Sequence, residues 1–274
     1  MSEVMITAAD VNKLRQITGA GMMDCKKALV ETGGDFEAAI DHLRKKGQKV
    51  ASNRADRDAT EGLAIAKTGN GRAVLVVLSC ETDFVAKNDA FGAFANQIAD
   101  LAVAENPANT EALLALTLDG RSVADHITEQ VGKIGEKIEV PFFANISGEL
   151  VYGYNHPGNQ IATIVAFNKA VDQEVGKNIA MQIAAMAPVA IDKEGVSQET
   201  LDRELEIARD QVRAEGKPED MVEKIAQGKV NKFYKESTLN NQEYIKDGKL
   251  NVLQYLQSVD KDLKVTDFKR YSIK

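Results

Sequence analysis

The stretch Ser79–Asp89 reads SCETDFVAKND, and it follows RAVLVVL (residues 72–78), an apolar run with the character of a buried β-strand. That strand delivers Phe84, flanked by Asp83 and Lys87, into a segment that reads as an exposed polar loop. A large apolar side chain held where water reaches it calls for a partner to cover it. The fold therefore has to bring a buried strand to the surface. Immediately afterwards Phe91, Phe94, Ile98 and Leu101 recur at the spacing of a helix with one apolar face.

Outward from this point the pattern repeats. Residues 62–79, GLAIAKTGNGRAVLVVLS, are two strands around a Gly-Asn-Gly turn that leads into the Phe84 stretch. Residues 148–167, GELVYGYNHPGNQIATIVAF, are again two strands around a turn, followed by a helix carrying Val175, Ile179 and Ile183. The two helices share a QIA triplet, at Gln97 and Gln182, and a proline follows each. A duplicated β-β-α module is the simplest reading, each copy a small antiparallel sheet covered by helices on one face. Residues 112–116 and 123–134 read as further helices between the copies.

Before the first copy, Thr7 caps a helix bearing Val11, Leu14 and Ile17, with Asp10 three residues after the cap and Gly19 and Gly21 at its end. A short helix over residues 22–32 follows. Asp35 then caps a third, whose Phe36, Ala39, Ile40 and Leu43 form a stripe closed by Gly47. Three helices this short leave apolar surface over, a candidate docking face. Residues 44–58 carry six basic and two acidic side chains without apolar periodicity and read as a solvated linker. Leu201, Leu205, Ala208 and Val212 mark one arm of a charged helical hairpin, EGKPED (residues 215–220) its turn, and residues 218–235 the other arm. Residues 250–259 read as a helix and residues 264–274 as a last strand.

Composition excludes several function classes. The 274 residues are 44% hydrophobic, enough for one large or two to three small domains, and the net charge of −7 argues against nucleic acid as the main partner. Cys25 and Cys80 stand alone, with neither disulfide nor zinc spacing. Cys80 is followed by acids rather than by a base, so it reads as a small strand-end residue and not as a nucleophile. The N-terminus lacks a signal-peptide pattern, and no run approaches the roughly 18 apolar residues of a membrane span, which implies a soluble, cytoplasmic protein. No phosphate-binding glycine motif occurs at a strand–helix junction. No catalytic residue, metal site or cofactor is expected. His42 and His126 sit in apolar helical stripes as core or core-surface residues, whereas His156 lies in a hairpin turn and faces outward. Met22 and Met23 point about 100° apart on a helix, so both are ordinary core only if the buried face is wide; the alternative is that one of them faces a partner, a role that methionine suits.

Two long motifs, LRQITGAGMMDCKKAL (residues 14–29) and ETDFVAKND (residues 81–89), strongly resemble the elongation factor Ts family, the bacterial guanine-nucleotide exchange factors of elongation factor Tu. The resemblance runs over nearly the whole chain. It implies an α+β fold: a three-helix, UBA-like N-terminal domain at 1–47, a linker at 48–60, core subdomains at 61–137 and 138–274, and a coiled-coil hairpin inserted in the second at about 196–237. It further implies that Thr82, Asp83, Phe84 and Val85 enter between helices of the partner's G domain and disturb its magnesium and phosphate site. Arg15, Met22, Met23, Lys26 and His156 map to other partner contacts, and the partner is expected in its GDP-bound and nucleotide-free states. Two departures stand out. After His156 the chain reads PGNQIA where many members have an arginine-bearing segment, and it stops at Lys274, just after the last expected strand, where some members add a helical segment. The rival classes are a non-exchanging interaction or chaperone module and an RNA-binding accessory protein that uses residues 44–57.

Overall fold

A computed structural model describes residues 5–273; residues 1–4, and Lys274 at the end of the expected last strand, lie outside the described residues. The chain runs α1 (Ala8–Thr18), α2 (Met22–Glu31), α3 (Phe36–Asn53), β1 (Glu61–Gly69), β2 (Arg72–Cys80), α4 (Asp83–Ala86), α5 (Asp89–Glu105), α6 (Thr110–Ala115), β3 (Thr117–Leu118), β4 (Arg121–Ser122), α7 (Val123–Ile134) and β5 (Glu139–Ser147). It continues through β6 (Leu150–Asn155), β7 (Ile161–Phe167), α8 (Gln173–Met186), α9 (Gln198–Ala214), α10 (Glu219–Ser237), β8 (Glu243–Tyr244), β9 (Asp247–Asn251), α11 (Val252–Val259) and β10 (Val265–Ser272). The fold is α+β with small sheets. The described residues divide into two compact units, 5–65 with 76–144 and 273, and 66–75 with 145–272.

Local chemistry explains most element ends. The Thr7 hydroxyl accepts from the Asp10 N–H while the Asp10 carboxylate accepts from the Thr7 N–H, a reciprocal cap for α1, and Gly19 closes that helix at φ 66°. Asp35 caps α3 through the Ala38 N–H. Asn70 and Gly71, at φ 54° and 73°, supply the two left-handed residues that turn β1 back onto β2.

Both modules share one sheet plan. The strand orders are β1-β2-β5 and β6-β7-β10, so in each copy the second strand of the hairpin is central and a later strand pairs on its far side. The third strand of the first sheet lies beyond the module boundary expected at 137. β7 pairs antiparallel with both β6 and β10. In the second unit Val165, Phe167, Val175, Ile179, Ile183, Leu239 and Leu256 share one core. In the first, α5 buries Phe91, Phe94 and Ile98.

Two expectations require correction. Gly47 does not end its helix, because α3 continues to Asn53 and takes in the first residues of the expected linker. Gly47 is there for closeness: α3 packs on α7, and a Cβ built on Gly132 would stand 2.7 Å from the Gly47 Cα. The TDFV segment is likewise not an irregular loop but a single helical turn, α4.

The inserted hairpin is α9 and α10. Ala208 and Val212 of α9 and Val222, Ala226 and Val230 of α10 are buried, and Arg209–Glu223, Arg213–Glu219 and Lys229–Glu215 pair on its faces. Its two ends are pinned together where the Val189 N–H donates to the Ser237 carbonyl and the Leu239 N–H to the Ala190 carbonyl.

Candidate functional site

β2 is buried from Ala73 to Cys80, and the chain emerges over the next three residues. The Cys80 thiol donates to the Thr82 carbonyl at 3.2 Å. Burial, with the Glu136 carboxylate nearby, pushes that thiol up to about 12, so no thiolate forms at neutral pH and the residue is a packing element.

Thr82 occupies the N-cap position of α4, yet its hydroxyl makes no cap. It donates instead to Glu136 Oε1 at 2.6 Å, while Glu136 Oε2 accepts from the Thr82 N–H at 3.0 Å and the Glu81 N–H at 3.1 Å. Glu81 is gripped from the other side. Its carboxylate accepts from the Lys137 N–H at 2.6 Å, from Arg54 at 2.7 Å and from Arg57 at 3.1 Å. Burial alone would raise the Glu81 carboxyl, but the Lys137 amide and the two guanidiniums overcome it and hold the group at about 2.

On this anchored base α4 presents Phe84, which is 83% exposed, with Thr82, Asp83 and Val85 half-buried around it. Asp83 pairs with Lys87 one turn on, at 2.7 Å; the ammonium holds the Asp83 carboxyl below the usual carboxylate range, and Asp83 raises Lys87 in return. Both side chains reach solvent, so the pair adds little stability and is readily exchanged for another partner. Asn88 then caps α5 through the Ala90 N–H.

The bundle offers a second apolar face. Met22 is 52% and Met23 74% exposed, so neither is core and both, rather than one, face outward. Lys26 and Val30 are also exposed, and at 100° per residue positions 22, 23, 26 and 30 fall within one side of α2. Arg15 and Ile17 are exposed on α1. Beneath them Val11, Leu14, Cys25, Ala28, Leu29 and Ala39 fill the bundle core.

His156 belongs to the second unit, where it stands exposed in the β6–β7 turn with its Nδ1 3.0 Å from the Tyr154 hydroxyl. His42 lies half-buried beside Glu31 at 3.2 Å, and His126 meets the Leu118 carbonyl through Nε2 at 2.7 Å.

Sequence reasoning found the exposed motif but missed its support: Glu81, Glu136, Arg54, Arg57 and Lys137. The signal available for the arginines was the basic run that read as a linker. Among the described residues, no group of three or more histidines, cysteines and carboxylates is placed to hold a metal ion, and no helix is long and apolar enough to cross a membrane.

Exposed aromatic and thioether side chains on a rigidly anchored frame are the chemistry of a protein-docking surface. A sequence model of the family described as Elongation factor TS matches residues 81–274. The elongation factors Ts of Flavobacterium psychrophilum and Christiangramia forsetii are 53% and 54% identical to this chain, each over 98% of it and 98% of their own length. That of Bacteroides thetaiotaomicron is 39% identical over 98% of this chain and 99% of its own. The chain belongs to the elongation factor Ts family of translation elongation factors.

Proposed function

We propose that this protein is a guanine-nucleotide exchange factor that accelerates GDP release from elongation factor Tu, with Phe84 as its wedge. The observation that carries the reading is the exposure of Phe84 on a one-turn helix whose start is clamped by Glu136. Family membership supports the partner and the reaction.

The mechanism is linkage. If the factor and GDP each weaken the other's hold on the GTPase by the same coupling free energy, a transient ternary complex loses GDP quickly. No acid, base or cofactor is required. Phe84 has most of its apolar surface still to bury, and a packed interface aromatic contributes roughly 2 kcal/mol, about a thirtyfold factor in an equilibrium constant. Spent only on the nucleotide-free conformation, that energy repacks the helices that hold the magnesium ligands. Asp83 releases Lys87 to meet a polar group of the partner.

Arg15, Met22, Met23 and Lys26 on the bundle, with His156 on the second unit, supply binding energy common to the GDP-bound and nucleotide-free partner. On this reading the protein works in the cytoplasm beside its GTPase, without stable nucleic-acid or membrane contacts. The test is release of fluorescent GDP from purified elongation factor Tu. Acceleration by the native chain and its loss in Phe84→Ala are the expected results. Tight binding without acceleration would favour a non-exchanging interaction module.

A further inference from the structure

Two helix ends converge on the base of the wedge. α3 finishes at Asn53, and the arginines just beyond it reach Glu81. α7 finishes at Ile134, and Glu136 just beyond it takes the Glu81 and Thr82 amides and the Thr82 hydroxyl. The two helices are held in register by the backbone contact of Gly47 with Gly132, too close for a side chain on Gly132. Lys137 closes the ring: its N–H donates to Glu81 and its ammonium to the Arg57 carbonyl at 3.0 Å.

This support answers a physical need. A single turn of helix is far below the length that is stable by itself, and α4 has lost the side-chain cap that Thr82 would ordinarily give. A Phe on a loose turn would have to be ordered during docking, and that ordering would subtract from the energy delivered to the partner.

We infer that Glu136 is the positioning residue of the wedge: its carboxylate, delivered by α7, fixes the direction in which Phe84 leaves the sheet and so determines how far docking is converted into nucleotide release. Glu136 touches no partner group in this scheme. It acts through Thr82 and the start of α4, with the Glu81–Arg54–Arg57 cluster as the opposite jaw. The inference rests on the exchange reading and goes beyond it.

The chain contains no tryptophan, so Phe84→Trp installs a single fluorescent reporter at the wedge, independent of any partner. In that background, Glu136→Ala should lower the tryptophan anisotropy, and Glu136→Gln, which keeps one acceptor oxygen, should lower it less. With Phe84 in place, Glu136→Ala should reduce the maximal GDP-release rate about tenfold or more while the half-saturating concentration changes by less than about threefold. Glu136→Gln should again fall between, and it decides the matter if the alanine variant does not fold. Unchanged anisotropy in both variants, or a loss confined to the half-saturating concentration, would overturn the inference. Phe84→Ala run in parallel separates the two levels. Loss there with full activity in the Glu136 variants removes the positioning role alone, whereas no loss in either removes the exchange reading itself.

Discussion

The same supersecondary unit is built twice in this chain, and the two copies treat the passage from central strand to helix in opposite ways. In the second, β7 ends at the fully buried Phe167, and residues 168–172 run directly to the Asp172 cap of α8. That passage is stitched down along its length. The Asn168 side chain donates to the Asp262 carbonyl at 2.9 Å and accepts from the Lys264 N–H at 2.7 Å, Lys169 pairs with Asp260 at 2.8 Å, and Val171 packs against the core. In the first, β2 ends at Cys80 and an extra helical turn intervenes before α5. Its strongest side-chain anchors grip the base, at Glu81 and Thr82, and its large apolar side chain is exposed. A strand–helix junction held at its start leaves an apolar side chain beyond it open to a partner, which is the role proposed for Phe84.

The largest effect expected from breaking this contrast is in the closed junction. Phe167→Ala should cost about 3–5 kcal/mol of folding stability, read as a lower urea midpoint at unchanged slope. Next comes the support of the open junction. Gly132→Val places a side chain against the Gly47 backbone and should cost about 1–3 kcal/mol, with faster amide hydrogen exchange in α3 as its local signature.

A comparable and pH-dependent effect belongs to Glu81. Its carboxyl is depressed from 4.5 to about 2 in the folded protein, so its contribution is complete above about 4.5 and is lost as pH falls toward 2. Glu81→Gln should therefore unfold at lower urea than the parent near neutral pH, and the gap should close on acidification through that window. A gap that stays constant with pH would mean that the clamp does not depend on the Glu81 charge. The least effect is expected from Lys169→Ala, whose ammonium pairs with Asp260 in solvent. Its urea midpoint should differ little from the parent's and should converge with it as salt is raised.

Much of this was legible because it is local. The caps at Thr7 and Asp35, the Asn70-Gly71 turn and the alternation between strand and helix need only neighbours along the chain, and the helical hairpin announced itself through Leu201, Leu205, Ala208 and Val212. The exposure of Phe84 followed from its polar surroundings. What stayed hidden depends on distant partners. Gly47 reads as a helix stop until Gly132 is seen against it. No local pattern singles out Glu136, whose role appears only when the Thr82 amide is found in its grasp. Met22 and Met23 both face water because Cys25, Ala28 and Leu29 already fill the bundle side of α2.

On this proposal Phe84 serves a partner and not this protein's own core. The most direct test is Phe84→Ala, followed by urea unfolding and by fluorescent-GDP release from elongation factor Tu on the same preparation. An 83% exposed side chain contributes little to folding, so the midpoint should stay within about 0.5 kcal/mol of the parent while the exchange rate falls by about tenfold or more. A stable variant that exchanges as fast as the parent would contradict the claim.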